Sequence, residues 1–383
     1  RVGIDQNGMN VKAGFSRRMA GVASIGAMAL VLAACGGDNG SDNGNGADGN
    51  GGGEVELSGS IAGAGASSQE NAMVAWQAGF TEATGVDVNY DAVGSGTGRE
   101  QFLNGATLFA GSDAMFSQEE IDAGAERCFG GEVIELPLYI APIAVVYNLP
   151  SVDAEHINLD ADTIGAIFNG DITNWNDPAI AEANPDVDLP DLDIIPVNRS
   201  DDSGTTENFT DYLEKATDTW PYEADGTWPI DGTQSGAQTQ GLIDVVQGAE
   251  GAIGYADASR VGDLGTVAVG VGDDYVPFSP EAAAAIVSAS PPAETANEWR
   301  LTVDLARDTE EAGTYPIVQI AYSSLCSVYD DEQDAANVAA FFEYVASEEG
   351  QERASRPDVA GSAPISDEIR EQVNDILDQI SVA

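Results

Sequence analysis

Histidine occurs once in the 383 residues, as His156, and cysteine only three times, at Cys35, Cys128 and Cys326. One imidazole leaves little room for a serine nucleophile with a histidine base, and no G-x-S-x-G elbow is present. One His and three widely spaced Cys are too few soft ligands for a tight metal site. The phosphate-cradling G-x-x-x-x-G-K-[ST] loop is missing too. A phosphatase would need a metal cluster or a phosphorylated nucleophile, and neither is evident. Basic residues are scarce: 14 Lys and Arg stand against 65 Asp and Glu, a formal net charge of −51. Lysine appears only as Lys12 and Lys215. A field of that sign argues against nucleic acid or an anionic membrane surface as a partner. A lysine-poor, carboxylate-rich surface suits high salt, where screening acts over about 3 Å at 1 M. An ordinary acidic secreted protein would have the same balance.

Apolar runs long enough to cross a bilayer are lacking as well. Met19–Leu32 is an apolar stretch of 14 residues, short of the ~20 a bilayer-spanning helix needs. A start at Met9 would put Lys12 and Arg17-Arg18 just ahead of it, and a basic flank before a short apolar run reads as a secretory signal over residues 1–34. Only the arginine pair matches a twin-arginine signal. Leu32-Ala33-Ala34-Cys35 is similar to the lipobox of bacterial lipoproteins, in which the cysteine is lipidated. Residues 35–54 are then a lipidated Cys35 and a Gly/Asn/Asp tether that buries nothing. No loop there has alternating ligands closed by a Glu, as calcium would require. With Cys35 so used, Cys128 and Cys326 remain as an even pair able to form a disulfide in an oxidising compartment.

From Val55 onward strand-like runs alternate with helical spacing, an α/β signature. Leu57–Ile61 reads as a strand ending at Gly63-Ala64-Gly65-Ala66, and Asn71–Thr81 as a helix. Val86–Tyr90 runs into Val93–Gly98, with a helix from Arg99, and Leu108–Ala110 leads to Gly111-Ser112-Asp113. Each strand empties into a small-residue turn, the place where open α/β sheets bind ligands. Two long apolar stretches, Ile134–Tyr147 and Tyr315–Leu325, predict a pair of crossing strands that hinge two lobes. One lobe combines residues 55–138 with 317–383; the other is the inserted 139–316. This places Cys128 and Cys326 near one hinge. Ala335–Ser347 and Ser366–Gln379 read as closing amphipathic helices.

The sharpest motif is Arg199-Ser200-Asp201-Asp202-Ser203-Gly204-Thr205-Thr206, between the strand Ile194–Val197 and a helix. Gly204 at a helix start lets backbone N–H groups approach an anion, and Ser203 and Thr205 add hydroxyl donors. Arg199 supplies a planar fork that matches phosphate oxygens, and Asp201 is placed to orient it.

Read with Gly63–Ser68, Val93–Gly98, Ala110–Met115, Ile164–Ile180 and Gly251–Arg260, this motif resembles the Pst-type phosphate-binding proteins over nearly all of 57–383. The resemblance implies a type II periplasmic-binding-protein fold, each lobe a mixed sheet flanked by helices. It implies a monomer with no cofactor and no catalysis, held outside the cell membrane by its lipid and passing inorganic phosphate to the permease subunits of an ABC importer. Its ligand contacts fall on Ser67, Ser68, Ser95, Asp113, Arg199, Ser203, Gly204 and Thr205. Ser68 departs from the family's usual Phe, at a contact the backbone makes. A carboxylate such as Asp113 suits an oxyanion that still carries a proton; sulfate would leave lone pairs facing it. A sulfate, molybdate or tungstate binder, a phosphoester hydrolase and a structural lipoprotein are the rival readings.

Overall fold

A computed structural model describes residues 55–383, which form one compact unit. The signal, Cys35 and the tether expected above lie outside the described residues.

The chain opens with β1 (Ser60–Gly65), α1 (Glu70–Thr84), β2 (Asp87–Asp91), α2 (Ser95–Leu103), β3 (Phe109–Ser112) and α3 (Gln118–Arg127). β1 pairs in parallel with both β2 and β3. The glycines expected to form a turn after β1 belong to the strand itself. A methyl group on Gly63 would lie 2.1 Å from the Phe109 ring, and one on Gly65 1.9 Å from the Gly111 carbonyl oxygen. Their smallness serves packing rather than reversal. Likewise α2 begins at Ser95, not at Arg99, so the whole Ser-Gly-Thr-Gly segment is helical.

β4 (Val133–Tyr147) is a 15-residue strand buried along its entire length. The inserted part follows as β5 (Ile157–Leu159), α4 (Ala161–Asn169), α5 (Pro178–Ala183), β6 (Ile195–Arg199), α6 (Gly204–Ala216), β7 (Gln234–Gly236), α7 (Gln238–Gly248), β8 (Ala252–Asp257), β9 (Gly265–Val271), β10 (Asp274–Pro277) and α8 (Pro280–Ala289). β11 (Val318–Cys326) then returns antiparallel to both β3 and β4. α9 (Glu332–Ala346), α10 (Glu348–Ser355) and α11 (Asp367–Leu377) close the chain. The strand order β2-β1-β3-β11-β4-β8-β6-β7 joins two half-sheets through β4.

The two prolines of β4 mark where it changes partner. Pro137 sits at a register shift against Ala321/Tyr322, and Pro142 faces Val318 just before β4 leaves β11 and takes up β8 at Ile143. A proline cannot donate to a ladder, so it is tolerated where the ladder is interrupted. The two lobes have separate aromatic cores. Phe80, Phe109, Phe341 and Phe342 cluster in the first; Phe168, Phe209 and Tyr255 cluster in the second.

Cys128 and Cys326 are bonded, with Cα atoms 5.1 Å apart. The bond lies at the end of the β4/β11 ladder opposite the place where β4 passes from β11 to β8. Cys326 pairs with Val133 at the far end of the β4/β11 ladder, six residues past Ile320, or about 20 Å along a strand. Among the described residues, no helix is long and apolar enough to cross a membrane.

Candidate functional site

Three turns of the first lobe and one of the second meet at a buried point. Ser67 and Ser68 follow β1, Ser95 opens α2, and Asp113 follows β3. From the inserted lobe come Arg199 at the end of β6 and the start of α6. All of these side chains are buried: Ser68 is 0% exposed, Asp113 4% and Arg199 3%.

Asp113 is the node. The Ser68 hydroxyl donates to its Oδ1 at 2.7 Å, and the Thr205 hydroxyl of the other lobe donates to Oδ2 at 3.0 Å. Its own backbone N–H donates to Ser95 Oγ at 3.2 Å. Gly204 completes the contact between lobes. A methyl group there would lie 2.8 Å from Asp113 Cβ, the Ala114 nitrogen and Ser95 Oγ. Ser203 caps α6, its Oγ accepting from the Thr206 N–H at 3.3 Å.

Arg199 is held as a fork. Its Nε and Nη2 donate to the two oxygens of Asp201 at 2.9 and 2.5 Å. Asp201 Oδ1 also accepts from the Gln238 backbone N–H at 2.9 Å, which fixes the carboxylate and hence the guanidinium plane. Burial pushes the Asp113 carboxyl above the ordinary carboxylate value; hydrogen bonds from Ser68 and Thr205, then the charges of Arg199 and Arg99, oppose that rise. The result is one acceptor among many donors. Among the described residues, no group of three or more His, Cys, Asp or Glu is arranged to hold a metal.

This geometry coincides with the kinship of the chain. A profile described as the PBP superfamily domain matches residues 50–349. The phosphate-binding protein PstS 3 of Mycobacterium tuberculosis is 34% identical over 376 residues, covering 94% of this chain and 98% of its own. The chain belongs to the Pst-type phosphate-binding proteins. PstS 2 of the same organism is also 34% identical, over 86% of this chain and 90% of its own. The fold is shared with a periplasmic phosphate-binding protein, PfluDING, solved with phosphate bound: TM-score 0.65, 21% identity, 82% of this chain and 93% of that one. A phosphate-binding protein from Stenotrophomonas maltophilia superposes with TM-score 0.63 at 19% identity, over 82% of this chain and 93% of that one.

Against that family pattern, the structure adds residues the motifs did not single out. Ser68 was expected to act through its backbone; its hydroxyl also occupies one oxygen of Asp113. Thr239, at the start of α7, lies 3.0 Å from Ser67 Oγ through its hydroxyl and donates its N–H to the same atom at 3.1 Å. Gln238 before it has φ +60°, a backbone that glycine adopts more readily. Tyr255, inside the Gly251–Arg260 motif, stacks on Phe209 and holds the Arg199 loop. Its hydroxyl lies 2.8 Å from Thr206 Oγ1 and accepts from the Arg199 N–H at 3.3 Å. Asn208 donates to the Asp113 carbonyl at 2.7 Å across the lobes. Asn208 and Thr239 contact residues far away in sequence, so local spacing carries no trace of them.

Proposed function

We propose that this protein captures inorganic phosphate between its two lobes, residues 55–138 with 317–383 and the inserted 139–316, and hands it to the permease subunits of an ABC importer. Cys35, lipidated, tethers it to the outer face of the membrane, where it works as a monomer and catalyses nothing. Ser67, Ser68, Ser95, Ser203, Gly204 and Thr205 donate to the oxyanion, Arg199 neutralises it, and Asp113 accepts the proton it still carries.

One observation carries this reading: a single buried carboxylate is engaged by hydroxyls of both lobes, beside a guanidinium locked by Asp201. A carboxylate near an anion is repulsive unless a proton lies between them, so Asp113 selects a protonated ligand. The distant acidic residues do not prevent binding, because salt screens them while buried donors act at contact. The names of the relatives support the same ligand class.

Calorimetry with phosphate tests the proposal, with a chromogenic phosphoester assayed in parallel. Binding without turnover is expected; turnover, or no heat with phosphate, would defeat it. Cys35→Ala should move the protein from the membrane to the soluble fraction, and unchanged membrane retention would refute the anchor.

A further inference from the structure

Arg99 is a buried cation that the proposed ligand set does not use. It sits on α2 one helical turn after Ser95, hence on the same face, and is 9% exposed. Its Nη1 donates to Ser112 Oγ at 3.0 Å, and its Nε to Glu120 at 2.8 Å. The Ser112 hydroxyl in turn donates to the Ala114 carbonyl at 2.6 Å and accepts from the Ala114 N–H at 3.2 Å. These two bonds close the turn that carries Asp113. The guanidinium therefore ties the Ser95 turn to the Asp113 turn through one hydroxyl.

We propose that Arg99 is a specificity-determining positioning residue: through Ser112 it fixes the Asp113 turn, and its charge keeps Asp113 an acceptor. The inference rests on the reading of Asp113 as selector of a protonated oxyanion.

The electrostatic surroundings make the role specific. Burial favours a protonated Asp113, and the guanidinium charges that chiefly act against it are those of Arg199 and Arg99. Asp257, Tyr139 and Tyr90 are titratable groups that also feel Asp113's charge. Arg199 is already shared with Asp201. Arg99 faces Glu120 of its own lobe and Glu207 and Asp202 of the other; burial opposes its charge, but these acids outweigh that and stabilise it. A methyl group on Gly96 of α2 would lie 2.4 Å from Asp202 Cγ, so the acid of the inserted lobe packs directly on the Arg99 helix.

The sign follows. Without the Arg99 charge, Asp113 takes up its proton at higher pH. A protonated Asp113 donates instead of accepting, and a ligand without a proton is no longer penalised. Discrimination against sulfate should then fail as pH drops from neutrality toward the ordinary carboxylate range, while the wild type still discriminates.

The test is competitive titration of phosphate and sulfate across that pH range in wild type, Arg99→Gln, Arg99→Lys and Asp113→Asn. In Arg99→Gln the phosphate-to-sulfate affinity ratio should fall about tenfold at the acidic end, as for a displacement of one pH unit, and recover toward alkaline pH. Arg99→Lys, which keeps the charge, should bind more weakly yet retain the wild-type pH profile. Equal losses in both variants with no movement of the profile would reduce Arg99 to a packing role and overturn the inference. If Arg99→Gln does not fold, Ser112→Ala and Arg99→Lys decide: both should lose affinity several-fold with the profile unmoved, and wild-type affinity in Ser112→Ala would overturn the link. A wild type without phosphate preference, or an Asp113→Asn protein that keeps it, would instead sink the reading of the site itself.

Discussion

At the scale of single residues, a buried charge is informative when its partners are counted. Arg199 has its fork on Asp201 and its plane fixed by the Gln238 N–H. Arg199→Ala removes the cation and leaves Asp201 facing the cleft alone, so phosphate affinity should fall by roughly 2–5 kcal/mol, the usual cost of truncating a buried charged pair. Calorimetry checks it, and an unchanged melting curve would show that the fold survives. Glu207 is a second residue with a measurable signature. Burial raises its pKa to about 7, with Arg99 opposing and Asp202 and Asp225 adding to the rise. A carboxyl raised in the folded state contributes stability below its unfolded value near 4.3, and that contribution disappears as pH climbs through about 7. Glu207→Gln should therefore flatten the fall in melting temperature over that window. Parallel curves for variant and wild type would contradict the assignment.

Among the elements, strand-to-helix junctions do most of the positioning, and these were the most legible part of the sequence. Small-residue turns after three strands, and the helix-start motif around Gly204, were legible from local spacing, and the resemblance to the Pst-type proteins joined them into one site. Two boundaries were misplaced for one reason: Gly63, Gly65 and the Gly-rich start of α2 resemble turns, yet they are glycine because Phe109, Gly111 and β1 pack against them. The cross-lobe partners Asn208 and Thr239 were illegible because no periodicity links residues brought together only by tertiary contact. Gly204 shows the same packing logic inside the site. Gly204→Ala places a methyl group 2.8 Å from three atoms of the first lobe, so the lobes cannot approach fully. Phosphate affinity should drop by more than tenfold, about 1.4 kcal/mol, with little loss of stability; wild-type affinity would show that the contact between lobes is dispensable. The Cys128–Cys326 bond closes a separation of 198 residues at the outer end of the β4/β11 ladder. Its reduction should lower unfolding free energy by about 2–4 kcal/mol in a denaturant titration and leave phosphate affinity nearly intact, because the bond is remote from the hinge. A large affinity loss on reduction would place it in the moving part after all.

For the molecule as a whole, the two half-sheets share β4, and its prolines lie where the strand passes from β11 to β8. Buried Asp257 sits beside that handover. Its carboxylate accepts from Tyr139 Oη at 3.0 Å and Gln319 Nε2 at 2.6 Å, side chains of the two hinge strands. The proposed closure of the lobes would turn about this point, and the proposed selecting residues lie in the turns that follow the strands on either side of it. A net charge of −51 is compatible with anion capture if, as proposed, selection acts within hydrogen-bond distance of Asp113. The most direct test is one equilibrium titration of the wild-type protein at neutral pH with phosphate, arsenate and sulfate. Phosphate and arsenate, which both hold a proton there, should bind and displace each other, while sulfate leaves the protein unaffected. Sulfate binding as tightly as phosphate would contradict the role given to Asp113 and the account built on it.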